Sequence, residues 1–486
     1  MATPHRLSAR ALTQLLPKVA ELPAPRYRSI ADAIAALLLD ARIAPGSGLP
    51  SERDLAAALE VSRSTTTAVY QRLAESGLLT SRRGSGSFLR LPAGSRISGP
   101  GSRLQREYSA TPVIDLSIAS LPAAAGLLES AAARAIPRLT VLAAGVGYQP
   151  YGITELRTLI AERYTERGVP TGPDEILVTN GAQHGLDLIL RLSLSVGDRV
   201  LTELPTYPGA LDAIRAAGGR VLAMPFAADG SWDVGTLTST LLQTSPRLAV
   251  LMPDFNNPTG ALIPTDQRRA VLAAARQAGT RVVIDESFVD LDLSEAAGNR
   301  PAAMAALDGR VLSVGSLSKP VWGGLRIGWV RTDTDTVARL ALLRARSDMS
   351  GSVFDQLMAC ELLADYQPIV QQRRTELRER RAALLSALAE QLPHWRPSQP
   401  AGGMSTWVRL DAPASTALTH LLEQRAILLT PGSRFTVDAG LERYLRIPYA
   451  LPSGVLVAAV QRIAQAWQEL DQRRVRRPET EVLVPT

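Results

Sequence analysis

The sequence predicts two modules: a small, mainly α head closed by a β-hairpin, and a large α/β body built on a largely parallel sheet. Three observations support this. The chain has 486 residues, too many for one ordinary domain. From residue 113 onward, strand-like and helix-like segments alternate. The charge is also uneven: residues 1–110 hold 15 Lys and Arg against 8 Asp and Glu, and the remainder holds 38 of each, so the net charge of +7 falls on the first quarter of the chain. A basic module on a neutral body suits a polyanionic partner for that module alone.

Composition narrows the class. Hydrophobic residues make up 46% of the chain, as in globular proteins, and no apolar run approaches the ~18 residues of a membrane span. The first residues lack a compact apolar stretch with a small-residue cleavage site, so residues 1–25 are expected to form an arm with a short helix. One cysteine, Cys360, rules out an internal disulfide framework, and with four histidines it leaves little material for a metal site. The expectation is a cytoplasmic protein without a metal or membrane partner.

The head is expected over residues 26–91. A first helix carries Ile30, Ile34, Leu37 and Leu38 at helical spacing, and PGSGLP follows as a turn. Ser51 to Asp54 is a capping-box pattern that opens a second helix, with Leu55 and Leu59 inward. Ser62 caps a third helix that turns Val69 and Leu73 inward and ends at Gly77. Arg63, Ser64, Thr65 and Thr66 at its N-terminus are short polar or cationic groups, and that end can meet phosphates and base edges. LLTSRRGSGSFLRL reads as two short strands joined by a basic, glycine-containing turn.

Helix, helix, recognition helix and basic wing make a winged helix-turn-helix. LPSERDLAAALEVSRSTTTAVYQRLAESGLLTSRRGSGSF closely resembles the GntR family of DNA-binding regulators. That resemblance implies contacts with double-stranded operator DNA from Ser51, Arg53, Ser62, Arg63, Ser64 and Thr65, and from the wing residues Arg82, Arg83, Gly84 and Gly86. Residues 92–112, rich in Gly, Ser, Pro and Arg, read as a flexible linker, and residues 471–486 as a C-terminal tail.

The body, residues 113–470, carries its chemistry at strand ends, where α/β sheets bind ligands. EILVTNGAQHGLDLIL is a strand, a small-residue turn and a helix, so Gly181, Ala182 and Gln183 can offer backbone N–H groups to a phosphate. Asn257 sits in DFNNPTG. RVVIDES ends its strand in Asp285, a partner for a protonated ring nitrogen or, equally, a helix cap or half of a buried ion pair. RVLSVGSLSK delivers Ser316, Ser318 and Lys319 together, and Arg326 follows seven residues later. Only two lysines, Lys18 and Lys319, occur among 53 basic residues. A lysine amine can be desolvated into a nucleophile, and arginine cannot replace it. A lysine for an aldehyde, a carboxylate for a ring nitrogen, and hydroxyls, amides and an arginine for a phosphate amount to a pyridoxal 5'-phosphate site.

The order and spacing closely resemble the fold-type-I aminotransferases, which implies that fold with a small C-terminal α+β subdomain. The resemblance puts pyridoxal 5'-phosphate on Lys319 as a Schiff base, with Asp285 on the ring nitrogen and Asn257 on the ring hydroxyl. It sets Tyr207 against the ring and the phosphate among Gly181, Ala182, Gln183, Ser316, Ser318 and Arg326. Tyr148 is implied to reach the partner subunit's phosphate, and Arg446 to grip a substrate or effector carboxylate, with a plain salt bridge as the alternative for Arg446. One departure stands out: Phe288 occupies the position where many of these enzymes carry a tyrosine. Its missing hydroxyl removes a hydrogen bond worth about 1 kcal/mol.

A GntR-type head on an aminotransferase-like body resembles the MocR subfamily of regulators. The resemblance implies a homodimer that binds pyridoxal phosphate and senses a small amino compound or the cofactor itself. The competing readings are a working aminotransferase with an accessory DNA-binding head, and a repressor whose body is only a dimerisation scaffold.

Overall fold

The protein is described by a computed structural model covering residues 6–16, 19, 24–39, 43–82, 86–90, 113–227, 230–294, 300–437 and 440–475. The expected linker, residues 92–112, and the wing residues Arg83 and Gly84 lie outside the described residues, as does the Arg82 side chain. Among the described residues, no helix is long and apolar enough to cross a membrane.

The head holds helices Arg26–Leu39, Glu52–Leu59 and Arg63–Glu75, and the antiparallel pair Leu79–Arg82 and Gly86–Leu89. Ser51 Oγ accepts the Asp54 N–H at 3.1 Å and Ser62 Oγ accepts the Thr65 N–H at 3.1 Å, so both expected caps form. Ile30, Ile34, Leu37, Leu38, Leu55, Leu59, Val69 and Leu73 are all buried in one apolar cluster. Two polar contacts fix how the recognition helix is seated. Thr66, expected at the groove-facing end, is instead buried, its hydroxyl donating to the Glu52 carbonyl at 3.0 Å, and the Tyr70 hydroxyl donates to the Pro50 carbonyl at 2.5 Å. The arm contributes a further helix, Ala9–Leu15, whose Leu12 joins the same cluster.

The large α/β unit comprises residues 118–408 and 446–460; residues 1–117, 409–445 and 461–486 group separately. Its seven-stranded sheet runs in the order Ile176–Thr179, Gly328–Arg331, Leu312–Ser316, Arg281–Asp285, Leu248–Leu251, Arg199–Leu204 and Arg220–Pro225. Gly328–Arg331 is antiparallel to both neighbours, and the pairings from Leu312–Ser316 to Arg220–Pro225 are parallel. Alternation sorts the strand residues into two apolar layers. Ala249, Leu251, Val282 and Ile284 pack on one face, and Leu248, Val250 and Val283 on the other. Continuous burial on both faces is what a helix-covered parallel sheet requires.

In the other group, Ile427–Leu428 pairs in parallel with Ile114–Asp115 beside helix Ser415–Glu423. The final helix, Ser453–Val475, continues past residue 470, where the sequence reading ends the body.

Candidate functional site

The strand ends of the large unit bring most of the expected residues together. Lys319 lies three residues past the Leu312–Ser316 strand, and its Nζ donates to the Ala119 carbonyl at 2.7 Å. The Phe288 ring centre is 5.5 Å from the same nitrogen. Burial, reinforced by the positive charges of Arg446 and Arg326, pushes the Lys319 ammonium down to about 8, and the Asp285 carboxylate opposes them. Burial pushes the Asp285 carboxyl up, against the pull of its Ser287 hydrogen bonds and of Lys319. Its Oδ1 accepts the Ser287 N–H at 2.8 Å. Asp285 and Lys319 therefore sit within electrostatic reach of each other.

Asn257 is buried in the turn after Leu248–Leu251. Its Oδ1 faces Arg446 Nη1 at 3.4 Å, and its N–H donates to Met252 Sδ at 3.0 Å. Arg446 comes from the Tyr444–Pro448 strand and is itself buried. Sequence reasoning missed the group behind this turn, Glu203, which is 1% exposed. Glu203 Oε1 accepts the Met252 N–H at 2.6 Å and the Asn256 side-chain amide at 3.2 Å, and Oε2 is buried with no hydrogen-bond partner among the described residues. Asn256 Oδ1 in turn accepts the Thr259 N–H and hydroxyl at 3.2 and 2.9 Å. Burial pushes the Glu203 carboxyl up to about 7, against the pull of its hydrogen bonds.

The other side of the site fits an anion. Helix Ala182–Ser193 starts at Gly181 with no side-chain cap, so its first N–H groups are open to a ligand. Gly181 has φ +86°, and a Cβ there would lie 2.8 Å from Arg326 Nη2. Only glycine lets the backbone and that guanidinium approach so closely. Arg326 adopts a left-handed backbone, φ 56°, and donates to the Asn180 and Gly323 carbonyls at 2.5 and 3.3 Å. The Ser316 hydroxyl accepts the Ser318 N–H at 3.0 Å, lies 2.7 Å from Ser318 Oγ and donates to the Ile327 carbonyl at 3.1 Å.

Gln183 Nε2 donates to the Gly209 carbonyl at 3.0 Å, which ties the phosphate turn to the Tyr207 turn. The Tyr207 ring folds against Gly209, where a Cβ would sit 2.5 Å from it. An uncapped helix start, two hydroxyls and a guanidinium suit a phosphate, and a carboxylate within electrostatic reach of a lysine amine suits a pyridine aldehyde. These residues therefore fit pyridoxal 5'-phosphate. Tyr148 stands apart in one respect: it is 57% exposed, and none of these hydrogen bonds involves it.

In the head, the Ser62 hydroxyl lies 2.8 Å from that of Ser64 and 2.7 Å from that of Thr65, so all three hydroxyls gather at the start of the recognition helix. Arg53, Arg63, Ser64 and Gly86 are exposed, and Ser51 is an exposed cap.

Residues 26–89 match the GntR family of bacterial regulatory proteins, and residues 111–463 match the aminotransferase class I and II family. The HTH-type transcriptional regulator YisV of Bacillus subtilis is 28% identical to this chain, over 92% of the chain and 96% of YisV. The 2-aminoadipate transaminase of Thermus thermophilus is 31% identical, over 66% of this chain and 80% of its own length. The Thermus thermophilus α-aminoadipate aminotransferase LysN, solved with N-(5'-phosphopyridoxyl)-L-leucine, superposes with a TM-score of 0.68 at 29% identity. That match covers 74% of this chain and 93% of LysN. A GntR head and a fold-type-I body within one chain place it in the aminotransferase class I and II family, in the form found in MocR-type regulators.

Proposed function

We propose that this chain is a DNA-binding transcriptional regulator whose large domain holds pyridoxal 5'-phosphate on Lys319 and senses an amino compound or the cofactor itself. The observation that carries the reading is the seat of the Lys319 amine, on the Ala119 carbonyl at 2.7 Å and within electrostatic reach of Asp285, where burial and the charges of Arg446 and Arg326 destabilise its charged form. A structural lysine gains nothing from such destabilisation of its charged form, whereas a nucleophilic one needs it.

When bound, the cofactor supplies an electrophilic carbonyl and a cationic ring that draws electrons. Lys319, brought down to about 8, has a far larger neutral fraction at physiological pH than an ordinary lysine, and the Ala119 carbonyl orients the amine while it is free. Asp285 holds a proton on the ring nitrogen, and Asn257 meets the ring hydroxyl. Gly181, Ala182, Gln183, Ser316, Ser318 and Arg326 bind the phosphate, and Tyr207 covers the ring. Arg446 grips the carboxylate of an amino-acid effector, its fork-shaped guanidinium matching the two oxygens. Displacing Lys319 from its place links effector binding to a change between two states of the protein that differ in DNA affinity.

The body is proposed to pair as a homodimer. Ile136, Val141, Val146 and Tyr148 are 58%, 76%, 87% and 57% exposed along helix Leu127–Leu142 and the segment after it, an apolar surface that suits a protein partner. Tyr148 would then serve the partner subunit's site. Ser51, Arg53, Ser62, Arg63, Ser64, Thr65, Arg82, Arg83, Gly84 and Gly86 form the proposed DNA face.

The second reading, an aminotransferase with an accessory head, is favoured by the likeness to 2-aminoadipate transaminase. Phe288 weighs against it, because no hydroxyl there can tune the proton on the cofactor. Turnover with amino-acid donors separates the two: multiple turnovers at ordinary enzyme rates establish the second reading, and effector-dependent DNA affinity without turnover establishes the first.

A further inference from the structure

The arm before the head is built into the wing. Leu7 N–H donates to the Gly48 carbonyl at 2.9 Å, and Arg6 forms a parallel bridge with Gly48. Gly48 in turn bridges antiparallel to Phe88, with Leu49 N–H on the Ser87 carbonyl at 2.8 Å and Leu89 N–H on the Ser47 carbonyl at 2.9 Å. Arg6 thus lies at the outer edge of the small sheet that ends in the wing. It is held there by the helix directly after it: Ser8 Oγ accepts the Ala11 N–H at 3.1 Å, and Leu12 is fully buried in the head core.

The Arg6 side chain runs over two positions that lack a Cβ. A Cβ at Gly48 would come within 2.8 Å of Arg6 Cγ, and one at Gly86 within 2.6 Å of Arg6 Nη2. Gly86 faces Arg82 in the last pair of the hairpin, so the guanidinium of Arg6, an exposed residue, lies at the turn end of the wing. This seat depends on residues from three separate parts of the chain, and the arm precedes residues 26–89, the stretch shared with the GntR family.

We infer that Arg6 is a further DNA contact: it binds a backbone phosphate of double-stranded DNA beside the wing, from outside the winged helix-turn-helix itself. The inference rests on the DNA-binding reading above. A guanidinium meets phosphate oxygens through two parallel N–H bonds. An arm anchored by Leu12 loses little freedom on binding, so the contact keeps most of its energy. The whole net positive charge of the chain lies within residues 1–110, the stretch that contains Arg6 and the head.

The test uses the full chain and a fluorescently labelled duplex of mixed sequence, with affinity measured by anisotropy from ~50 to ~200 mM salt. Losing one phosphate contact lowers the slope of log affinity against log salt by about 0.9. Arg6→Ala is therefore expected to bind less tightly, with its deficit against wild type shrinking about threefold across that salt range. Arg6→Lys keeps the slope, and Gly48→Val, which keeps the charge but fills the seat, behaves like Arg6→Ala. Matching melting temperatures confirm that the variants are folded. Wild-type affinity and slope in Arg6→Ala, with Arg63→Ala weakened, overturn the Arg6 contact and leave the DNA reading intact. A wild-type chain that binds no duplex at any salt overturns both.

Discussion

The side-chain amide of Asn256 donates to the buried carboxyl of Glu203 at 3.2 Å, one residue before the proposed ring-hydroxyl partner Asn257. The same carboxyl oxygen holds Met252, whose sulfur receives the Asn257 N–H. One buried acid therefore braces the Asn257 turn from two sides. Its proton has a thermodynamic consequence. Burial raises the folded-state value from 4.5 to about 7, so the folded protein binds more protons than the unfolded chain between those limits. Stability from this group is greatest below 4.5, falls through that window and stays low above about 7.

Glu203→Gln removes that dependence while keeping an oxygen for Met252 and Asn256. Urea unfolding at pH 5 and pH 8 is expected to show the variant gaining on wild type at the higher pH. The gain is on the order of 3 kcal/mol at 1.36 kcal/mol per pH unit. A constant difference between the two proteins at both pH values counts against a raised Glu203.

The Lys319 amine gives a second pH signature. An ordinary lysine is neutral only above about 10, but Lys319 reaches half-deprotonation at about 8. The initial rate of near-visible absorbance growth on adding pyridoxal 5'-phosphate is expected to rise with pH around a midpoint near 8. Arg446→Met removes a positive charge that depresses the ammonium, so its midpoint moves upward. An unshifted midpoint in that variant removes Arg446 from the electrostatics of the site.

Arg446 also separates effector classes. Losing a charge-assisted pair costs about 1.5–3 kcal/mol, or roughly ten- to hundredfold in affinity. Arg446→Ala is expected to weaken the spectral response to amino acids by that factor and to leave the response to simple amines unchanged. Equal loss for both classes would show that Arg446 holds the turn of Asn257 rather than a ligand.

In the head, Thr66 is buried and joins the Glu52–Leu59 helix to the recognition helix. Thr66→Val keeps the shape and removes the hydroxyl that links the two helices at the Glu52 carbonyl, at a cost of about 1 kcal/mol. Its melting temperature should fall, whereas Arg63→Ala, altering an exposed side chain, should lower DNA affinity at an unchanged melting temperature. A DNA defect in Thr66→Val without loss of stability would make Thr66 a contact residue instead.

The sequence was most legible where local rules decide the outcome. The caps at Ser51 and Ser62, the inward faces of the head helices and the strand ends at Asp285 and Ser316 follow from capping and periodicity, and the structure shows each. Glu203 was not legible. In VLTELP an acid reads as the outward residue of an alternating strand, and only the neighbouring strand and turn reveal it as fully enclosed. The Ala119 carbonyl on Lys319 was hidden for the same reason, because a backbone acceptor 200 positions away leaves no mark in composition or spacing. Arg6 lay in a stretch read only as an arm, and its seat depends on glycines at 48 and 86 that local reading assigns to turns.

The central claim is that Lys319 carries the cofactor, and the chain allows a direct test because it has only two lysines, Lys18 and Lys319. The protein is loaded with pyridoxal 5'-phosphate, reduced with borohydride and digested, and the phosphopyridoxyl mass is located among the peptides. The account predicts the adduct on the Lys319 peptide, with Lys18 unmodified. An adduct on Lys18 alone, on both lysines equally or on neither would contradict it.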